Sequence, residues 1–383
     1  MLTRMKIGSD AETRLPVYVK EKDLFKGTLV LGATGGGKTV LLSTIIQNGS
    51  YSPVARIVID PSRFFAKEVY SILKGKAHFC SLEHPIGINP MVSPYKPYQV
   101  ADIIAESINQ MVTLTTPNER FTVKMREILD SEVVRCLESG RTTLEEVKAN
   151  IQAQKGNSET RDGILARLSL ILSPDFKPLI CGKGFEINKL IDRQETLILD
   201  CSGMGYAKQV FIGTLVTSLV KAYFLYSKPK EYKPLVLMVD EAHNFVSSEW
   251  TIITKQARKY QIATILATTD FSMMPKPLVH SILSNSGTLI CLRAGHVEAQ
   301  MISNEITTIK KEDIQTLEKY HAVYKTPDGE GIVKLPRPPI FKELEIKPMK
   351  QEQNFGLHWF DIDPSYSFQF DCDQNGRVAG DGL

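Results

Sequence analysis

Short apolar runs of β-branched and aliphatic residues, each closing on a polar residue, recur along the chain at 28–31, 56–60, 196–200, 235–240, 263–268 and 288–293. Strands buried on both faces have this unbroken apolar character, so the runs predict six strands of a parallel sheet. Helical spacing fills several of the intervals, at 39–47, 208–226 and 250–259. Strands alternating with helices predict a doubly wound α/β sheet, a fold that binds its ligands at the carboxyl ends of the strands. Residues 321–325 and 331–335, separated by Thr-Pro-Asp-Gly-Glu, predict a closing hairpin.

One interval breaks the alternation. Between residues 60 and 196 most of the chain reads as helix. In 98–112 the apolar residues Val100, Ile103, Ile104, Ile108 and Met111 share a helical face, and 121–137 and 164–172 behave similarly. Thr142 with Glu145, or Thr143 with Glu146, offers a capping box for a further helix. This predicts an all-helical subdomain inserted at 89–192, with a flexible stretch at 154–160. In the plainer alternative the same helices flank the sheet. Connections within compact domains are short, and so many helices between two strands favour the insertion. The expected organisation is therefore a first part of the core at 1–88, the insertion at 89–192, a second part of the core at 193–335 and a tail at 336–383. Pro336, Pro338 and Pro339 end the sheet, since proline supplies no ladder donor, and the tail is expected to leave in extended form.

Composition narrows the class. Of 383 residues, 43% are hydrophobic and 23% charged, as in ordinary globular proteins and unlike disordered, collagen-like or coiled-coil chains. Lys and Arg (46) nearly balance Asp and Glu (43), and the net charge of +3 is too even to indicate nucleic-acid binding by itself. It hides an asymmetry, because residues 351–383 carry Arg377 alone against Glu352, Asp361, Asp363, Asp371, Asp373 and Asp381. A modestly basic body thus precedes an acidic tail. The six cysteines are scattered without a CxxC pair, which predicts neither a zinc site nor a disulfide framework and fits a reducing, cytoplasmic setting. The charged start does not resemble a signal peptide. The apolar stretch 211–226 is interrupted by Lys221 and falls short of the roughly 20 residues a membrane span needs. No transmembrane segment is expected, and work at a membrane or secretion complex would go through partners.

The strongest chemical signal is GATGGGKT at 32–39, which fits GxxxxGK[ST] between an expected strand and helix. Gly32, Gly35, Gly36 and Gly37 let the backbone turn and aim its N–H groups at phosphate oxygens, with Ala33 and Thr34 completing the loop and Val40 following it. Lys38 is placed for the β- and γ-phosphates of ATP, and the Thr39 hydroxyl for Mg²⁺. Downstream, LVLMVDEAH at 235–243 delivers Asp240, a second Mg²⁺ candidate, to the sheet's carboxyl end. Glu241 beside it is suited to orient a hydrolytic water and accept its proton.

These motifs carry a family resemblance. GATGGGKTVLL at 32–42, VIDPS at 58–62, VDEAH at 239–243, ARKYQIATILATT at 257–269 and TLICLRAGHVEAQ at 288–300 follow the order of the HerA/FtsK superfamily. Over residues 17–335 the chain most resembles its HerA-type members and the conjugative, TraG/TrwB-like type IV secretion ATPases. The resemblance implies a RecA-like P-loop ATPase core of mainly parallel sheet with an inserted all-α subdomain. It implies a motor, usually a hexameric homo-oligomer, that pumps DNA or energises secretion-system assembly. It also implies an arginine acting on a neighbour's γ-phosphate, for which Arg258 matches the family position and Arg293 is the second candidate. Either arginine could instead form a structural ion pair. Two departures stand out. Thr269 occupies a position where the family often has a γ-phosphate-sensing Gln, and its shorter hydroxyl puts that role in question. The phosphate loop begins at Gly32, so an N-terminal barrel or anchor domain is not expected.

For DNA contact, the loop at 201–208, with Lys208 and Tyr206, and the stretch 244–250 are candidates, as they are for solvated loops or subunit contacts. The tail's Phe355, Trp359, Phe360, Tyr366, Phe368 and Phe370 make 351–383 either a docking peptide for a protein partner or a strand packed on the chain itself. The expected function is an ATP-driven DNA translocase in conjugative transfer, viral genome packaging or DNA processing. A secretion-assembly ATPase acting on protein and a low-turnover nucleotide switch are the alternatives.

Overall fold

The computed structural model describes residues 4–49, 53–116, 118–154, 158–182, 184–227, 229, 231–245, 250–272, 274–337 and 344–346. The acidic tail, Pro338, Pro339, most of the 244–250 stretch and the middle of 154–160 lie outside the described residues. The strands are β1 (Arg4–Asp10), β2 (Pro16–Lys20), β3 (Thr28–Leu31), β4 (Ala55–Asp60), β5 (His78–Cys80), β6 (Thr196–Asp200), β7 (Leu235–Val239), β8 (Ile262–Thr268), β9 (Thr288–Leu292), β10 (His321–Thr326) and β11 (Gly329–Lys334). They form one sheet in the order β2-β1-β11-β10-β9-β3-β8-β7-β4-β6-β5.

The middle of the sheet is parallel. β3 runs between β9 and β8, with Leu31 level with Cys291 on one side and Thr268 on the other, and β7 lies between β8 and β4. Every residue of β3, β4, β7, β8 and β9 is buried, which is why these strands read as continuous apolar runs. Each fully buried aliphatic side chain there stabilises the fold by roughly 2 kcal/mol. β10 and β11 form the expected hairpin, tighter than the sequence indicated because Thr326 pairs directly with Gly329. β10 runs antiparallel to β9, and β1 and β2 extend that flank antiparallel.

The chain divides into two compact units. The first, Met1–His78 with Ile191–Leu199 and Lys233–Leu383, carries the central strands. The second, Phe79–Leu190 with Asp200–Tyr232, is helical. Its longest helix, Pro97–Thr115, buries Val100, Ile103, Ile104, Ile108 and Met111 against the helix Tyr206–Ala222. Helices Val123–Glu138, Leu144–Ala153 and Ser158–Ile171 pack on one another. Of the two capping boxes open on sequence, Thr143 with Glu146 forms: the Thr143 hydroxyl accepts from Glu146 N, and the Glu146 carboxylate accepts from Thr143 N.

Two helices depart from expectation. The helix from Trp250 stops at Gln256, and residues 257–261 turn into β8. The helix from Tyr206 continues as a π-turn to Ser227, giving 22 residues that by length and composition could cross a membrane. Its most apolar window is 78% buried inside the protein, as in the core helix of a globular unit.

Candidate nucleotide site

β3 ends at Leu31, and the loop 32–37 turns the chain into the helix Lys38–Gly49. Neighbouring strand ends hold the loop in place. Gly32 N donates to Thr268 O at 3.2 Å, at the end of β8, and Ala33 N donates to Arg293 O at 2.8 Å, just beyond β9. Glycine is required where the backbone turns left-handed, at Gly35 (φ +78) and Gly37 (φ +117). A Cβ on Gly37 would also sit 3.0 Å from the Tyr320 ring, while one on Gly35 would meet nothing within 4 Å. Thr34 and Gly35 are exposed at the crest, Thr39 is half-buried and Lys38 is buried.

Lys38 has two partners. Its Nζ donates to Gly32 O at 2.9 Å and lies 3.5 Å from Glu241 Oε1. The register explains the second contact, since β7 is separated from β3 only by β8 and all three end on the same side. The two halves of the motif, far apart in sequence, therefore meet at the carboxyl end of the sheet.

Asp240 follows β7, is only 4% exposed, and accepts the Glu241 N–H at 2.9 Å. Burial, with Asp60 and Glu241 adding repulsion, pushes its carboxyl up to about 7, against smaller opposing effects of that hydrogen bond and of Lys38. Asp60 closes β4 in the VIDPS segment, and its carboxylate is already satisfied. Oδ1 accepts from Ser62 N and Ser62 Oγ, each at 2.7 Å, and Oδ2 from Ala66 N at 2.7 Å. It thus caps the helix Phe64–Ile72 while its charge bears on Asp240.

Glu241 adopts the left-handed conformation (φ 44, ψ 51), which non-glycine residues take at a cost. Its Oε2 accepts from Thr269 Oγ1 at 3.3 Å and lies 3.5 Å from His243 Nδ1. His243 Nδ1 is also 3.1 Å from Thr268 Oγ1. The Thr268 hydroxyl donates to Asp270 O at 2.9 Å and accepts from Asp270 N at 3.3 Å. Burial holds the His243 imidazole below its usual range, so it is disposed to be neutral.

Arg293 lies exposed beside the phosphate loop, joined to it through its carbonyl. Arg258 is also exposed but sits before β8, at the opposite end of the strand from Thr268. At about 3.3 Å per residue that strand separates it from its own phosphate loop by roughly 20 Å. Among the described residues neither arginine side chain has an ion-pair partner. The stretch 201–208, a candidate for DNA contact on sequence, is a loop only to Gly205: Tyr206 and Lys208 lie in the first turn of the helix Tyr206–Ala222, and Lys208 is tied to Asp175 at 2.6 Å.

No three His, Cys, Asp or Glu side chains among the described residues form a metal cage. The donors present still fit Mg²⁺, which takes one or two protein oxygens and fills its shell with water and phosphate. A divalent cation beside Asp240 would relieve the repulsion that its carboxyl meets from Asp60 and Glu241.

Sequence reasoning singled out the loop, Asp240 and Glu241 as candidates but gave no role to Asp60, His243 or Thr268, although all three stood inside quoted motifs. Their contacts depend on strand register, which the motifs do not encode.

Residues 5–220 match the family model described as the helicase HerA central domain. The chain belongs to that HerA family. Solved structures of similar fold include the bacterial conjugative coupling protein TrwBdeltaN70 in an unbound form, with TM-score 0.67 and 14% identity over 92% of this chain and 91% of that one. Another is VirB4 of Thermoanaerobacter pseudethanolicus, with TM-score 0.68 and 16% identity over 88% of this chain and 97% of that one. TrwB in complex with ADP and Mg²⁺ gives TM-score 0.67 and 15% identity over 93% and 98% of the two chains. No curated protein matches the sequence. Family and fold agree: this HerA-type chain is a P-loop ATPase on a mostly parallel sheet flanked by helices.

Proposed function

We propose that this protein is a Mg²⁺-dependent ATPase motor that works as a homo-oligomer, a hexameric ring, and drives DNA through its pore. The observation that carries the reading is the approach of Lys38 Nζ to Glu241 Oε1, 3.5 Å apart and next to buried Asp240, in a chain of the HerA helicase family. Residues 32–40 cradle the triphosphate with backbone N–H groups, and Lys38 moves from its present partners to the β- and γ-phosphates. Thr39 and Asp240 hold Mg²⁺, which neutralises phosphate charge when bound. The ADP and Mg²⁺ bound by TrwB support this assignment.

Glu241 accepts a proton from water as the water oxygen bonds to the γ-phosphorus. The bond from that phosphorus to the β–γ bridging oxygen breaks, and ADP and inorganic phosphate leave. Arg258, exposed and a strand length from its own phosphate loop, is suited to complete a neighbour's site, and Arg293 its own. Conjugative transfer is the preferred setting, ahead of viral genome packaging and DNA processing. The test is ATP hydrolysis with and without DNA, read beside the oligomeric mass. Hydrolysis that rises with DNA in a ring-sized assembly supports the motor, and DNA-indifferent hydrolysis points to a motor acting on protein.

A further inference from the structure

Both oxygens of the Glu241 carboxylate are engaged, but by groups of different kinds. Oε1 faces Lys38 Nζ at 3.5 Å, a cation that nucleotide phosphates compete for. Oε2 faces Thr269 Oγ1 at 3.3 Å and His243 Nδ1 at 3.5 Å, neither of them a cation. A hydroxyl has one proton, and that of Thr268 goes to Asp270 O at 2.9 Å, leaving its lone pairs for Asp270 N and His243 Nδ1. With its proton on Nδ1, His243 would donate to Thr268 Oγ1, and the same atom lies 3.5 Å from Glu241 Oε2. A left-handed backbone at Glu241, with φ 44, aims the carboxylate and needs such restraint to persist.

We propose that Thr269 is a positioning residue whose hydroxyl holds Oε2 of Glu241, with His243 packed beside it, leaving Oε1 as the oxygen that receives the proton from water. Lys38 Nζ lies against Oε1, at 3.5 Å. Drawing Lys38 onto phosphate uncovers that oxygen while the clamp keeps its direction. Thr269 then acts on hydrolysis through the base, without reaching the γ-phosphate as a glutamine would. The inference rests on Glu241 being the base.

The experiment compares Thr269→Val, Thr269→Ser and Glu241→Gln with the wild type, in full-length protein, measuring kcat and KM for ATP and the affinity for a non-hydrolysable ATP analogue. Losing a hydrogen bond to a charged group lowers kcat about tenfold in Thr269→Val. Analogue affinity stays unchanged, and Thr269→Ser restores most of the rate. The inference is overturned if Thr269→Val keeps the wild-type kcat, if Ser fails to restore it, or if analogue affinity falls in step with kcat, which would mean a phosphate contact. Glu241→Gln separates the two levels of argument. If it hydrolyses ATP at the wild-type rate, the base itself is misassigned. If it is inactive while Thr269→Val is not, only the clamp fails.

Discussion

The two units of the chain are built to different standards of regularity. Every described non-glycine residue with positive φ (Arg14, Arg63, Lys74, Gln194, Glu241, Gln261 and Tyr320) belongs to the first unit, and in the second only glycines adopt it. Buried charge divides in a similar way. Asp23, Lys38, Arg56, Asp60, Glu68, Glu195 and Asp240 are buried in the first unit, Glu132 and Asp200 in the second. Glu132 is there the ordinary i,i+3 partner of Arg135. The helical unit follows local rules of capping and apolar spacing, as at Thr143 and along Pro97–Thr115. The sheet unit breaks such rules at Glu241 and crowds Asp240, and both departures fall at the candidate nucleotide site.

This contrast predicts opposite responses to mutation. The largest effect is expected from Glu241→Gln, which should lower kcat by at least about 10³-fold while leaving analogue binding intact, by loss of the base. Lys38→Ala should weaken nucleotide affinity roughly a hundredfold, the worth of charge-assisted hydrogen bonds to phosphate, as titration with a fluorescent analogue would show. If either variant behaves as wild type, the strained unit is not the catalytic one.

Asp240→Asn sharpens the comparison through pH. The folded carboxyl titrates near 7, above the unfolded value of 3.8, so its favourable contribution is present below pH 3.8 and is lost as pH rises through 7. In metal-free protein the asparagine variant should therefore be more stable than wild type at pH 8, by on the order of 2 kcal/mol, and the gap should narrow as pH falls and close only near pH 4. Thermal unfolding at the two pH values checks the sign. The smallest effect belongs to the regular unit, where Thr143→Ala should cost about 1 kcal/mol of stability by removing a helix cap and leave kcat unchanged.

Legibility in the sequence follows the same division. The parallel strands and the helix 97–115 could be read because burial on two faces, or on one stripe, leaves a local pattern. β1 and β2 escaped notice because neither leaves an apolar run: β2 buries only Val17 and Val19 among exposed or half-buried neighbours, and of the buried residues of β1 only Met5 and Ile7 are large and apolar, the others being Gly8 and Ser9. The phosphate loop, Asp240 and Glu241 were legible because their chemistry needs particular residues at fixed spacing. The clamp was not. Thr269 and Glu241 meet only because β7 pairs with β8 so that Val239 lies opposite Leu266, a register set by the folded sheet.

Glu241, poised against Lys38 at the end of the parallel strands, is proposed as the base of an ATPase. Single-turnover hydrolysis of pre-bound ATP, in wild type and in Glu241→Gln, decides whether it is. Wild type should release phosphate while the variant retains intact ATP. Phosphate release at equal rates from both proteins would rule Glu241 out as the base.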